Sequence, residues 1–181
     1  LVWTSNLGAL WMLSETPRRL SDPQSTGFLF HPVVVGHDLY VSGKRDFMRL
    51  DRDGKLVKLG LVLPETPEQV VSDDLGIYIT LFKRDEVLSI PLEGGSPRTR
   101  YTTLMKLRRG VLAISNGTLF AVSYATGELV SIPTTGGKLR RIAKGFMRPT
   151  ALAVDDTHAF VYTESDKTLR KVELSSGTTS V

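Results

Sequence analysis

The chain has 181 residues, 41% of them hydrophobic, and its 23 basic and 19 acidic side chains give a formal net charge of +4. This composition allows one sizeable buried core and excludes a disordered or fibrous chain. The chain contains no cysteine, which excludes disulfides, thiolate metal sites and cysteine nucleophiles, and no apolar run approaches the roughly 18 residues of a membrane span.

The first segment, 1–13, is apolar but has no basic residues before it, and Trp3, Asn6 and Trp11 interrupt it. We therefore expect no signal peptide here. Because the sequence starts at Leu1 rather than at Met, we expect it to be processed or excised from something longer.

An apolar-aromatic-apolar tripeptide recurs along the chain with spacings of 38, 42 and 40 residues. The four copies are Leu39-Tyr40-Val41, Ile77-Tyr78-Ile79, Leu119-Phe120-Ala121 and Ala159-Phe160-Val161. Leu1-Val2-Trp3 precedes them by 38 residues and looks like a fifth copy that lacks its lead-in. A fixed period of about 20 to 50 residues is the signature of a repeat architecture.

Each copy belongs to a unit with the same order of predicted elements. A short apolar strand comes first, at 33–35, 70–71, 111–114 and 151–154. A turn rich in Gly, Asp or Asn leads into the aromatic strand, and these residues suit turns because they bond their own backbone or tolerate positive φ. A polar loop, a third strand, a glycine turn and a mostly polar fourth strand follow; the third strands are at 47–50, 87–92, 129–133 and 169–174.

The repeat predicts an all-β fold. No unit has the apolar rhythm of a helix, and four short strands per unit with turn signals about every 8 to 12 residues are typical of a β-propeller blade. We predict one propeller domain, 1–181, of four-stranded antiparallel blades. Its blade units are about 1–32 (incomplete), 33–69, 70–110, 111–150 and 151–181. The ring has either five blades, one with a borrowed strand, or six to seven, of which this chain is a fragment.

Several residues resemble a known group of propellers. The segment 150–164, Thr-Ala-Leu-Ala-Val-Asp-Asp-Thr-His-Ala-Phe-Val-Tyr-Thr-Glu, resembles the lead strands of YWTD and NHL propellers, and Leu1-Val-Trp-Thr carries part of a Tyr-Trp-Thr signature. The third-strand motif Ile-Pro-Leu-x-Gly-Gly is similar to copies in bacterial extracytoplasmic propellers. These motifs mark blades rather than activities. The resemblance implies an extracytoplasmic location, periplasmic or secreted, and a binding face formed by the interblade loops and those between second and third strands.

Basic residues are concentrated in one part of the chain. The segment from Arg98 to Arg148 holds ten basic residues and one acid, Glu128, whereas the other 130 residues carry a net charge of −5. Such a polarised field attracts anionic partners. The alternative is solvated charge on outer strand edges, where Lys138, Arg140 and Lys144 would oppose edge-to-edge aggregation.

The resemblance places several cations in loops of the binding face. We predict that they bind a carboxylate, a phosphate or an acidic protein surface, for which Arg is the better bidentate donor. The predicted ligand-binding residues are Lys44, Arg45, Lys83, Arg84, Lys106, Arg108, Arg109, Tyr124 and Arg148.

Other sites have less support. Nucleic-acid binding needs stacking aromatics among the cations, and Tyr101, Tyr124 and Phe146 form a thin platform, so we expect no nucleic-acid partner. His37 and His158 are interpreted as turn residues.

We predict no catalytic residue, cofactor or metal. The sequence has no Gly-x-Ser-x-Gly nucleophile elbow. The inner-strand ends hold Val, Gln69, Arg109 and Thr150, which are poor ligands for a hard cation.

These observations favour a non-catalytic module that presents its loop face to a protein or another anionic ligand. The first alternative is a hydrolase or lyase of the lactonase type, with acids or a histidine at the axial mouth. The second is a structural scaffold segment that self-associates through its terminal blades. We expect no membrane span.

Overall fold

The computed structural model describes residues 2–4, 10–13, 17–19, 30–51, 53–81, 84, 86–92, 98–102 and 110–181. These residues form five antiparallel sheets that follow one another along the chain, and they form no helix. The described residues accordingly include no helix able to cross a membrane.

The strands of each sheet are consecutive in the sequence. The first sheet contains β1 (Val2–Thr4), β2 (Leu10–Leu13) and β3 (Pro17–Arg19). The second contains β4 (Phe30–Val35), β5 (Asp38–Ser42), β6 (Phe47–Leu50) and β7 (Leu56–Lys58). The third contains β8 (Pro67–Asp73), β9 (Gly76–Leu81), β10 (Glu86–Ile90) and β11 (Arg98–Thr102). The fourth contains β12 (Val111–Ser115), β13 (Thr118–Val122), β14 (Glu128–Pro133) and β15 (Arg140–Lys144). The fifth contains β16 (Pro149–Val154), β17 (His158–Thr163), β18 (Thr168–Glu173) and β19 (Thr179–Ser180).

The sheets pack side by side through their first strands. β4 contacts β8, β8 contacts β12, and β12 contacts β16, so the first strand of each four-stranded sheet is the innermost one. This is the arrangement of blades around a propeller axis. The predicted all-β class and the four-stranded antiparallel sheets are confirmed, and three strands of the first sheet lie among the described residues.

The hydrophobic core lies between the sheets. Successive side chains of a strand point to opposite faces of the sheet. On β13, Leu119 and Ala121 therefore pack against the third sheet, and Val122 packs against the fifth. Phe47 fills the boundary between the second and third sheets. The third and fourth blades therefore each bury one face against the preceding blade and one against the next.

The turns between first and second strands use the predicted turn chemistry. The Asp155 carboxylate accepts hydrogen bonds from the backbone N–H groups of Thr157 and His158, at 2.8 and 2.6 Å, and these bonds lower the pKa of Asp155. The Asn116 amide donates to Asp156, at 2.7 Å, and so joins the turns of the fourth and fifth blades. Asp155 and Asp156 therefore stabilise these turns. His158, interpreted from the sequence as a turn residue, is the first residue of β17 and donates its backbone N–H to the turn.

Candidate functional site

The loops between second and third strands lie at the same end of the blades as the interblade connectors. The N–H of Leu63, in a connector, donates to the carbonyl of Arg45, in a hairpin, at 2.7 Å. The N–H of Phe146 likewise donates to the carbonyl of Gly127 at 3.1 Å. We call this end the loop face; its described parts are the hairpins 43–46, 123–127 and 164–167, Arg84, and the connectors 59–66 and 145–148.

The connectors are anchored by buried apolar side chains. Leu63 is fully buried, and Phe146 is 2% exposed and belongs to the core between the fourth and fifth sheets. The residues beside these anchors point outward, since Val62 is 71% exposed and Met147 is 66% exposed. The loop face therefore exposes Val62 and Met147 on connectors whose backbone is fixed by the buried side chains of Leu63 and Phe146.

Gly127 allows the fourth blade's hairpin to lie directly on the next connector. Its φ is +64°, and a Cβ there would overlap the Phe146 carbonyl oxygen and lie 3.0 Å from the carbonyl carbon. Its own carbonyl accepts hydrogen bonds from both Gly145 and Phe146. Only glycine combines this φ with so close a backbone approach.

Two predicted cations join hairpins to the same connector. The Arg45 Nε donates to the carbonyl of Leu63 at 2.9 Å. The Arg84 guanidinium lies 3.1 Å from Glu86 and 3.9 Å from Glu65. Lys44 is exposed beside Arg45. The arginines thus brace the loops of the second and third blades while their charge stays at the surface.

Arg148 connects the fourth and fifth blades. Its Nε donates to the Tyr124 hydroxyl at 2.7 Å, its guanidinium lies 5.8 Å from that ring's centroid, and its Nη2 is 3.7 Å from Glu164. The hydrogen bond to Tyr124 raises the pKa of Arg148 most, followed by the electrostatic interaction with Tyr124 and then by the Glu164 charge. Arg148 has a positive φ of 53°, and its exposed side chain lies between the hairpins that carry Tyr124 and Glu164.

His31 is the second residue of β4. Its Nδ1 is 3.3 Å from the Ser42 hydroxyl oxygen. Burial lowers the pKa of His31, and a hydrogen bond with the Glu68 backbone raises it in part. The ring is therefore mainly neutral at pH 7 and joins the second and third blades.

The described members of the predicted site all lie on the loop face. The structure brings Tyr124 and Arg148 into contact, and it brings Arg45 and Arg84 to the same connector, at Leu63 and Glu65. Lys44 is exposed beside Arg45. The remaining predicted residues, Lys83, Lys106, Arg108 and Arg109, lie outside the described residues. A binding role for this set stays a prediction.

Other cations of the basic segment lie on an outer strand. Arg140 and Lys144 are exposed on β15, the outermost strand of the fourth sheet, and Arg141 forms a 2.7 Å ion pair with Glu128 there. Lys138 precedes this strand. The positive segment is therefore divided between an outer edge and the loop face.

The sequence interpretation missed the apolar part of the loop face. Val62 and Met147 are exposed on this face. The signal in the sequence was the presence of large apolar residues in segments that are predicted to be surface loops. Among the described residues, no group of three or more His, Asp or Glu side chains is placed to hold a metal ion.

Asp166 organises the fifth blade's hairpin at this end. Its carboxylate accepts hydrogen bonds from the hydroxyls of Thr163 and Thr168 and lies 2.6 Å from Arg170. These partners, the Thr163 hydroxyl first, lower the pKa of Asp166 to about 2. The ionised carboxylate is thus the form that the folded hairpin favours.

This shift predicts a pH-dependent contribution to stability. Because the folded pKa is depressed, the contribution is present above the ordinary Asp pKa of about 4 and is lost as the pH falls toward 2. Asp166→Asn should lower the free energy of unfolding at pH 7 relative to wild type, with a difference that shrinks between pH 4 and 2. Urea unfolding at each pH measures it; a difference independent of pH would contradict the prediction.

The chain resembles solved structures, although no family model and no curated protein matches its sequence. It is similar to a chain of the nidogen/laminin complex, with 15% identity and a TM-score of 0.77, over 99% of this chain and 73% of that one. It is also similar to virginiamycin B lyase from Staphylococcus aureus, with 12% identity and a TM-score of 0.72, over 99% and 67%. The chain has a β-propeller fold.

A third similar structure supports the same fold. A streptogramin B lyase has 14% identity and a TM-score of 0.72, and the match covers 99% of this chain and 66% of that one. This chain therefore spans about two thirds to three quarters of the length of the matched chains. At these identities the likeness concerns the fold and no residue of the site.

Proposed function

We propose that this propeller is a non-catalytic binding module that receives an anionic partner, preferably a protein surface, on its loop face. The observation that carries the proposal is the placement of Lys44, Arg45, Arg84 and Arg148 at one end of the blades. Their loops are connected by backbone hydrogen bonds, so little conformational freedom is lost when a partner binds.

The apolar side chains of the loop face favour a protein over a small anion. Met147 precedes Arg148, and Val62 precedes Leu63, whose carbonyl holds Arg45. Arg45 and Arg148 are thus connected to the two connector segments that carry the exposed Val62 and Met147. A protein surface that offers carboxylates beside an apolar side chain complements both features, and charge complementarity increases its rate of encounter.

Two finer assignments rest on the sequence resemblance. We propose membership of the YWTD/NHL-like group and an extracytoplasmic location, on the blade motifs at 1–4 and 150–164. The enzymatic alternative, a hydrolase or lyase, draws on the likeness to the two lyases, and that likeness extends to the fold alone.

The binding proposal predicts different effects for two lysines of the same blade. Lys44 lies on the loop face, whereas Lys55 lies at the opposite end, between β6 and β7, and both are exposed. With fluorescein-labelled poly-L-glutamate as the probe at 50 mM NaCl, Lys44→Glu should weaken binding roughly three- to tenfold. The matched Lys55→Glu variant should change it less than about twofold. Fluorescence anisotropy measures both dissociation constants.

Two results would contradict the proposal. Equal weakening by both variants would assign the binding to net charge rather than to the loop face. If the wild-type chain does not bind the probe at 50 mM NaCl, the proposed preference for an anionic partner is wrong. The scaffold and the enzyme would then be the remaining candidate functions.

A further inference from the structure

The fifth blade covers the fourth with one face and exposes the other. Along β17, Ala159 and Val161 are fully buried against the fourth blade, while Phe160 and Tyr162 lie on the opposite side. On this opposite side, Phe160 pairs with Ala153 of β16 and Lys171 of β18, and Tyr162 pairs with Ala151 and Leu169. We call this side the terminal face; it comprises Ala151, Ala153, Phe160, Tyr162, Leu169 and Lys171.

The equivalent face of the fourth blade is buried. Leu129 pairs with Val122 just as Leu169 pairs with Tyr162, so the two leucines occupy the same position in their blades. Leu129 is 0% exposed, whereas Leu169 is 57% exposed. The difference arises because the fifth blade lies on the face that contains Leu129.

The innermost strand shows the same contrast. Ala113 of β12 and Ala153 of β16 pair with the aromatic residues Phe120 and Phe160, respectively. Ala113 and Phe120 are buried, while Ala153 is exposed and Phe160 is partly exposed. The fifth blade thus carries small and apolar residues at the positions that a following blade covers elsewhere in this propeller.

We propose that the terminal face is a blade junction, covered in the working protein by a further four-stranded blade of the same repeat that continues the ring. The boundary between the fourth and fifth sheets provides the precedent, because the same positions there are closed by a blade. The matched propellers are also long enough to include a further blade, since this chain covers only 66–73% of their length.

The terminal face specifies the chemistry of the covering blade. Opposite Leu169 and Tyr162 it must present apolar side chains, as Ala159, Val161 and Val172 do toward the fourth blade. Lys171 stands where the fourth blade has the buried Ser131. Because an ammonium group is costly to bury without a counter-charge, the covering blade either carries an Asp or Glu opposite Lys171 or leaves the ammonium group in solvent at the edge of the junction.

The lack of cysteine in the sequence permits a direct test by thiol labelling. The chain is compared with an extended chain in which a second copy of residues 142–181 follows Val181. Position 182 is equivalent to Ile142 by the 40-residue spacing of Phe120 and Phe160, so the copy continues the repeat in register. A single Leu169→Cys substitution in the original blade reports the exposure of the terminal face to a maleimide.

The junction proposal expects labelling of Leu169→Cys to be fast in the 181-residue chain. In the extended chain it should slow by roughly tenfold or more, because labelling then requires local opening. Leu75→Cys, in the β8–β9 turn, should label fast in both chains, since Leu75 is 68% exposed. Leu129→Cys, at the equivalent buried position, should label slowly in both.

Two outcomes would overturn the proposal. If Leu169→Cys in the 181-residue chain becomes protected as the protein concentration rises, a second copy of the chain occupies the face instead. A second extension, by a copy of residues 102–141, is also in register and presents Leu119 and Ala121 to the terminal face. If neither extension slows labelling, the face is not a blade junction. These measurements do not depend on anion binding by the loop face.

Discussion

Gly127→Ala is expected to lower the free energy of unfolding by about 2–4 kcal/mol, because it combines backbone strain with a steric overlap. An alanine at φ +64° is strained by about 1–2 kcal/mol. Its Cβ would also overlap the Phe146 carbonyl oxygen, which belongs to backbone and cannot move aside as a flexible side chain would. The connector would have to shift and weaken the two hydrogen bonds that it donates to Gly127.

The control separates the strain from the overlap. Gly54 has φ +78°, and a Cβ there would meet no atom within 4 Å. Gly54→Ala should therefore cost only the strain, about 1–2 kcal/mol. Urea unfolding followed by circular dichroism measures both variants. Equal losses for Gly127→Ala and Gly54→Ala would show that the close approach to Phe146 adds nothing.

Phe146→Ala is expected to be the most destabilising of the substitutions considered, with a loss of about 3–5 kcal/mol. Phe146 is 2% exposed and packs in the cluster with Val122, Leu129 and Val161, between the fourth and fifth blades. Truncation leaves a cavity at that boundary and removes the anchor of the connector that carries Arg148. The loop-face geometry should therefore loosen together with the core.

The next residue in the chain provides a matched control. Met147 lies in the same connector but is 66% exposed, so Met147→Ala should change the free energy of unfolding by no more than about 0.5 kcal/mol. Thermal and urea unfolding measure both variants. Similar losses for the two would mean that Phe146 does not anchor the connector. The Phe146→Ala and Gly127→Ala losses should not add, because the two residues share one contact.

The predicted strands were correct in place and order, and their limits were less accurate. The third strand of the fourth blade was predicted at 129–133 and begins one residue earlier, at Glu128. The lead strand of the third blade was predicted at 70–71 and extends over Pro67–Asp73. Apolar periodicity marks the centre of a strand, whereas its polar ends depend on a hydrogen-bonded neighbour, which is a tertiary feature.

The sequence predicted which residue types lie in the loops of the candidate site, but it did not predict which residues they contact. The loop position of Arg45 and Arg148 follows from the repeat. Their hydrogen bonds to Leu63 and Tyr124 span 18 and 24 residues, and they depend on how one loop folds against the next. Arg45 and Arg148 therefore have a bracing role that their residue type and spacing did not indicate.

The repeat by itself determined the all-β class and the order of the strands in the four-stranded blades, because apolar alternation and turn residues act over a few neighbouring positions. Only the tertiary structure decided which face of each sheet is buried. Leu129 and Leu169 occupy the same place in the repeat, yet one is 0% and the other 57% exposed. The physical reason is that burial belongs to a pair of packed blades: the fifth blade covers Leu129, and Leu169 lies on the face that it leaves open.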